Sequence, residues 1–368
     1  MARFKKPRYA VVASVLSLLA VFLAEPAAAA VSDTAESVQR EALLAFKEAV
    51  AADPLGALSN WTVEPGSTSG GLPRHCNWTG VACDGAGHVI YIQLTKTWLR
   101  GTLTPFLGNI STLQMLDLSW NDFSGAIPQQ LSRLGELEEL ILYGNNFTGG
   151  IPPELGGLRS LLTLHVGNNS LHGGIPSQLG QLGQLAVLLL YSNNFTGGIP
   201  PELGGLRSLL VLHVGNNLLH GGIPPELGRL GELEQLFLNN NNFTGGIPPE
   251  LGGLRSLLML DVGNNSLHGG IPPELGRCKN LTWLYIYRNR FTGAIPSELG
   301  ELTNLEDLHL YDNALSSEIP RSLGRLTSLL SLDLSMNQLN GSIPVELGKL
   351  RSLKKLNLHM NKLTGTVP

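Results

Sequence analysis

The chain lacks most of what a chemical site is built from. It contains no G-x-x-x-x-G-K-[ST] loop, no G-x-S-x-G elbow and no H-E-x-x-H pair, so nucleotide cradling, serine-nucleophile ester hydrolysis and zinc proteolysis have no sequence support. It also has no apolar run of the ~20 residues that a bilayer crossing needs. The longest, Ala10 to Ala24, follows a basic start (Arg3, Lys5, Lys6, Arg8) and precedes the small residues Ala27 to Ala30. That pattern predicts a signal peptide over residues 1–30 and a secreted chain. An excess of basic charge is missing too. Without the leader, 21 basic and 28 acidic residues remain, a net charge of −7. This balance argues against nucleic acid and anionic membranes as partners. Cysteine is scarce, with three in 368 residues. Cys76 and Cys83 lie close together in a secreted chain, which favours a disulfide. Cys278 stands where Leu254 and Leu302 stand 24 residues to either side, so it reads as a small buried hydrophobe.

Glycine and leucine are plentiful. The chain has 44 Gly, and 43% of its residues are hydrophobic, a mixture that suits a repeating fold rather than disorder. The pair Ile-Pro recurs from Ile127-Pro128 to Ile343-Pro344 at every 24th residue, and Val367-Pro368 continues the series. Aligned on that step, the unit is L-x-x-L-x-L-x-x-N-x-L/F-x-G-x-I-P-x-x-L-G-x-L. A weaker first copy starts at Val89, with Thr97 in the Asn place, which makes twelve copies. The x-x-L-x-L stretch has the period of a strand with one buried face. A unit this short cannot fold alone, so each copy must bury its leucines against its neighbours. The Asn column, Asn121 to Asn361, is expected to turn inward and satisfy backbone groups freed where each strand ends. The reading is an α/β repeat: a right-handed leucine-rich-repeat solenoid with a concave parallel sheet, roughly 50–55 Å long at ~4.8 Å per strand. Phe147–Gly180, Phe195–Gly228 and Phe243–Gly276 are nearly identical, which points to duplication of a two-coil unit.

The domain reading is residues 1–30 signal peptide, 31–88 an N-terminal cap, and 89–368 about twelve repeats without a C-terminal cap. Terminal repeats need covering. Val38, Leu43, Leu44, Phe46 and Val50 suggest an amphipathic helix, with Trp61, Trp78 and the Cys76–Cys83 pair sealing the end. At the other terminus the chain stops inside a coil, which suggests a piece or a truncated form of something longer.

The x positions of the unit face the concave side. Sorted by position, the mature tyrosines (Tyr91, Tyr143, Tyr191, Tyr285, Tyr287, Tyr311) all fall there, as do Trp120, Trp283 and Phe237. Phe123, Phe147, Phe195, Phe243 and Phe291 take the inward place after Asn instead. A general strand preference for aromatics predicts no such sorting. Displayed Tyr, Trp and Arg are the usual anchors of interfaces. The densest group, Trp283, Tyr285, Tyr287, Arg288, His309 and Tyr311, is the expected peptide-binding site. Acidic residues collect on the same face (Asp117, Glu138, Glu139, Glu234, Asp261, Glu306, Asp307, Asp312, Asp333) and basic ones are fewer (Lys96, Arg288, Lys354, Lys355), which suits either a basic ligand or plain solubility. His165 and His213 lie two coils apart, about 9.6 Å, and zinc ligands must lie at about 2 Å from the ion. No metal and no cofactor are expected, and no catalytic residue. Ten N-x-[ST] sequons, at Asn60, Asn77, Asn109, Asn146, Asn168, Asn194, Asn242, Asn264, Asn280 and Asn340, are glycan acceptors in a secreted chain.

The stretches Leu43–Lys47, Asp53–Gly56 and Cys76–Cys83 resemble the N-terminal cap of plant leucine-rich-repeat receptor kinases, and the G-x-I-P unit resembles their form of the repeat. Within that family the chain is most similar to flagellin-sensing receptors, at His75–Asp84, Gly101–Leu118 and Gly276–Leu347. The resemblance implies an immune receptor region on the extracellular side of the plasma membrane. It would bind a flagellin peptide on its concave face, with Tyr287 and Tyr311 matching tyrosines that hold it, and a co-receptor kinase would be recruited in a full-length protein. A basic residue of the family matches His309, and a histidine matches Ser331. As a histidine, His309 is expected to charge in mildly acidic extracellular fluid. Two other readings compete: a secreted inhibitor resembling those of plant polygalacturonases, and an ice-binding solenoid. The exposed column alternates Thr148, Thr196, Thr244 and Thr292 with His172, His220 and His268, which disfavours ice.

Overall fold

The computed structural model describes residues 33–63 and 71–367; the expected signal peptide lies outside the described residues. The alternation of buried and displayed side chains produces one short strand per coil, starting with Val89–Gln93 and Met115–Asp117 and ending with Lys355–Asn357. With a cap strand these form a 13-stranded sheet in strict chain order. Neighbouring coils pair in parallel and in register, so that Leu116 faces Leu140 and Leu236 faces Leu260. The regular strand spans three residues in most coils, and bonds such as Leu142 N–H to His165 O and Gly144 N–H to Gly167 O continue the pairing past its end.

Behind each strand the Asn column turns inward. Asn217 is typical. Its amide donates to the carbonyls of Leu190, Val214 and Gly215, at 3.1, 3.0 and 3.3 Å, and its Oδ1 accepts from the Phe195 N–H at 3.1 Å. One side chain therefore ties its own strand end to the coil before it, in a site with little water. In the first coil the Thr97 hydroxyl takes part of this role, its single proton lying within reach of Asn121 Oδ1 at 2.9 Å and Leu94 O at 3.1 Å. Phe123 and Phe147 stack at 6.3 Å in the inward column. Each Ile-Pro pair then holds the backbone extended and leads into a five-residue 3-10 turn such as Pro201–Gly205. A Cβ on Gly204 would run into the Glu226 carbonyl of the next coil, so the L-G step sets how closely coils stack.

The cap helix, α1, spans Asp33–Ala49. Leu43 and Phe46 are fully buried, and Phe46 packs on Trp61 at 5.9 Å and on Phe123 at 5.7 Å. Two of the residues expected on its apolar face behave otherwise. Val38 is exposed, and Val50 leaves the helix for a short strand antiparallel to Arg100–Thr102. The buried residue of that turn is Gln39, whose Oε1 accepts the Val89 N–H at 2.8 Å and satisfies the start of the first coil strand. Trp61 stacks on Trp78 at 5.3 Å and donates its indole N–H to Thr79 O. Cys76 and Cys83 are bonded to each other, and Cys278 is buried and free. At the far end Leu356 is exposed and Leu353, Leu358 and Leu363 are half-buried. Of the ten sequon asparagines nine are exposed, and Asn168 is half-buried with its amide on the Tyr143 hydroxyl.

Candidate ligand-binding face

The concave face consists of parallel columns whose members sit 24 residues apart in sequence and one strand apart in space. The column that precedes the Asn ladder has left-handed backbone in every coil that carries a side chain there, including Trp120, Asn168, Asn216, Asn264, Arg288, Asp312 and Met336. Asn, Asp and Gly accept that geometry at low cost; Trp, Arg and Met do not. The sequence reading missed this column, although its run of Asn was visible. The left-handed backbone carries Arg288 to the rim, where its guanidinium lies 3.8 Å from Asp312.

The six expected site residues come together. Tyr285 stacks on His309 at 4.8 Å and 11°, and Tyr287 stacks on Tyr311 at 5.0 Å and 6°. The two stacks lie side by side, with Tyr285 and Tyr287 at 6.3 Å and His309 and Tyr311 at 6.3 Å. Trp283 adds a corner at 6.1 Å from Tyr285. All five rings are half-buried and Arg288 is exposed. The result is a rigid aromatic floor of two coils with a charged rim. Gly263 supports it from the preceding coil: a Cβ there would come within 2.5 Å of the Tyr287 ring.

The electrostatics of this floor depart from expectation. His309 bonds Ser331 Oγ at 3.0 Å through Nε2, and burial holds its pKa below the ordinary histidine value despite the carboxylates of Asp307 and Asp333. Burial in the stack thus works against the charging expected of His309 in mildly acidic fluid. Burial also raises Asp261, beside Tyr285 in register, to about 7, against the bond it accepts from the Gly263 N–H. The negative field expected here is weaker than the count of carboxylates suggests. Asp307 is raised by burial as well.

A second run of rings escaped the sequence reading. Trp120, Tyr143, His165, Tyr191, His213 and Phe237 form a continuous chain with centroid separations between 4.5 and 5.9 Å. Its signal in the sequence is the shared column of His165, His213 and Phe237. Tyr191 fills the space between the two histidines, and burial lowers them to about 4 and about 3. Beside this chain Val187, Leu189 and Val211 close into a separate apolar cluster. Among the described residues the one close grouping of metal-type donors is His75, Cys76 and Cys83, and the two sulfurs are bonded to each other.

Short in-register parallel strands, an inward Asn ladder and a disulfide-closed cap define a leucine-rich-repeat solenoid. Family comparison agrees for the cap and for most of the coils. Residues 36–84 match the leucine rich repeat N-terminal domain, residues 112–134, 136–158, 160–182 and 184–206 match the leucine rich repeat, and residues 225–366 match a leucine-rich repeat region. The chain is a leucine-rich-repeat solenoid, and its likeness is to plant receptor-kinase ectodomains. It is similar to the Arabidopsis receptor kinase HAESA, solved with the peptide hormone IDA and the co-receptor SERK1: 32% identity, TM-score 0.78, 92% of this chain and 55% of that one. It is also similar to the plant peptide hormone receptor RGFR1 in complex with RGF2, at 38% identity and TM-score 0.74 over 75% of this chain and 45% of that one. Among curated proteins it aligns with the probable LRR receptor-like serine/threonine-protein kinase RPK1 of Arabidopsis thaliana, 32% identical over 117 residues, 26% of this chain and 21% of that protein. The chain thus spans about half of the solved ectodomains it matches and a fifth of that curated relative.

Proposed function

We propose that the chain is the extracellular ligand-binding region of a receptor-like protein, and that it binds an extended peptide across its concave strands at Trp283, Tyr285, Tyr287, Arg288, His309 and Tyr311. The observation that carries this reading is the double stack of Tyr285 on His309 and Tyr287 on Tyr311, a preordered aromatic surface beside a charged rim. Aromatic side chains held in place before binding lose little entropy when a ligand arrives. Catalysis is a poorer fit, because carboxylates such as Glu138 and Glu139 lie on an open sheet face rather than in a water-excluded cleft. Of the similar solved ectodomains, RGFR1 holds RGF2, and HAESA holds the peptide hormone IDA together with the co-receptor SERK1. A co-receptor kinase is accordingly a partner to test.

The finer reading, a flagellin-type peptide and a role in immunity, rests on the resemblance at His75–Asp84, Gly101–Leu118 and Gly276–Leu347. Titration calorimetry with flagellin-derived peptides and with RGF2- and IDA-type peptides separates it from hormone binding. Saturable heat with the flagellin peptide alone supports the immune reading; heat with a hormone peptide alone replaces it. Silence with every extended peptide overturns the peptide reading itself.

A further inference from the structure

The groove at the opposite end of the concave face has a composition that peptide binding does not explain. It measures about 630 Å³ and lies between the first two coils, lined by Lys96, Trp98, Arg100, Trp120, Asp122 and Gly144 with the ladder residue Asn121. That is eight coils, or roughly 38 Å, from the tyrosine stacks. Trp98 is 70% exposed and Trp120 50%, the two most exposed indoles among the described residues. Trp98 also has left-handed backbone, φ 57. The residues in its place in later coils, Asp122, Asn146, Asn194 and Asn242 among them, do not share that conformation. A bulky side chain held in a costly conformation with its ring in water is not explained by packing, and strain of this kind concentrates at binding sites.

We propose that this groove is a second ligand site, for an acidic oligosaccharide built of uronic acid units. The chemistry of the lining selects the class. No aliphatic side chain lines the groove, whereas the anchor pockets of protein partners are closed and apolar around their aromatics. Two separate indole faces in open solvent suit the C–H faces of successive pyranose rings, which leave sugar hydroxyls in water. The charges then select the acidic sugars. Arg100 Nε lies 2.7 Å from Asp122 Oδ2, and Lys96 has no ion-pair partner among the described residues, so the groove has a spare cation on a molecule of net negative charge. Asp122 supplies an acceptor for a hydroxyl.

The test is intrinsic tryptophan fluorescence and calorimetry on the whole secreted chain, titrated with oligogalacturonates of increasing length and with neutral cello-oligosaccharides. The expected result is saturable binding of the oligogalacturonate that is weakened at least about tenfold by Trp98→Ala. Lys96→Gln should weaken the acidic chain and leave the neutral one unchanged. Trp98 lies outside the core, so Trp98→Ala should fold, and Trp98→Gly, which relieves the left-handed strain, should melt no lower than the parent while losing binding. Tyr287→Ala/Tyr311→Ala should bind the sugar as the parent does, which keeps this site separable from the peptide reading. No saturable response in the parent, as a groove made for a protein partner would give, overturns the proposal. So does equal binding of acidic and neutral chains, or full retention in Trp98→Ala.

Discussion

Asp261 and the histidines of the same column respond to pH in opposite directions. Burial raises the Asp261 carboxyl from 3.8 to about 7, so the folded chain holds this proton more tightly than the unfolded chain does. The stability it contributes is full below its unfolded value and is lost as pH rises through about 7. His165 and His213 are lowered from 6.5 to about 4 and about 3. Their contribution is full above 6.5 and is lost as pH falls toward those values. Asp261→Asn, which keeps the acceptor for Gly263, should therefore flatten the loss of stability between mildly acidic and neutral pH, on the order of 2–4 kcal/mol at full burial. His165→Phe with His213→Phe, after the example of Phe237 in the same column, should flatten the acid side. Denaturant titrations across this range check both, and unchanged slopes would place these side chains in water. None of this was legible in the sequence. Alternation showed which residues face the ligand side, but the burial of Asp261, His165 and His309 comes from ring neighbours a full coil away.

At the scale of one coil, the Asn ladder and the glycine shelf do different work. Asn217 makes four bonds in a nearly dry site. Asn217→Ala removes the bonds to three carbonyls, Leu190, Val214 and Gly215, and to the Phe195 N–H across two coils, and should cost about 3 kcal/mol or more in denaturant unfolding. Gly263→Ala should cost little stability yet displace the Tyr287 ring and break its stack on Tyr311. Peptide affinity should then fall by about 1–2 kcal/mol while the melting curve barely moves. Calorimetry beside thermal melting separates the two effects, and intact affinity would show that the shelf is incidental. The ladder was readable because eleven asparagines share one spacing. The shelf was not, because Gly263 is one of 44 glycines and its role depends on where the Tyr287 ring of the next coil lies.

Across the whole molecule, strand order, register and the division of Phe inward and Tyr outward all follow from a 24-residue period, since stacking leaves each coil only its neighbours to pack against. The cap departs from that period and is less legible: Val38 is exposed and Val50 pairs as a strand although both fit an apolar helix face, and the buried contact comes from the polar Gln39. Its disulfide closes a short loop, so the Cys76→Ser/Cys83→Ser chain should lose about 2–3 kcal/mol, read as a lower unfolding midpoint. The central claim is that an extended ligand lies on the tyrosine stacks. A binding peptide carrying a photoreactive residue, irradiated on the whole chain and mapped by mass spectrometry, tests it most directly. The account predicts crosslinks within Trp283–Asp312, reduced by Tyr287→Ala/Tyr311→Ala. Crosslinks confined to the 3-10 turns on the opposite side, or to the Trp98 groove, would contradict it.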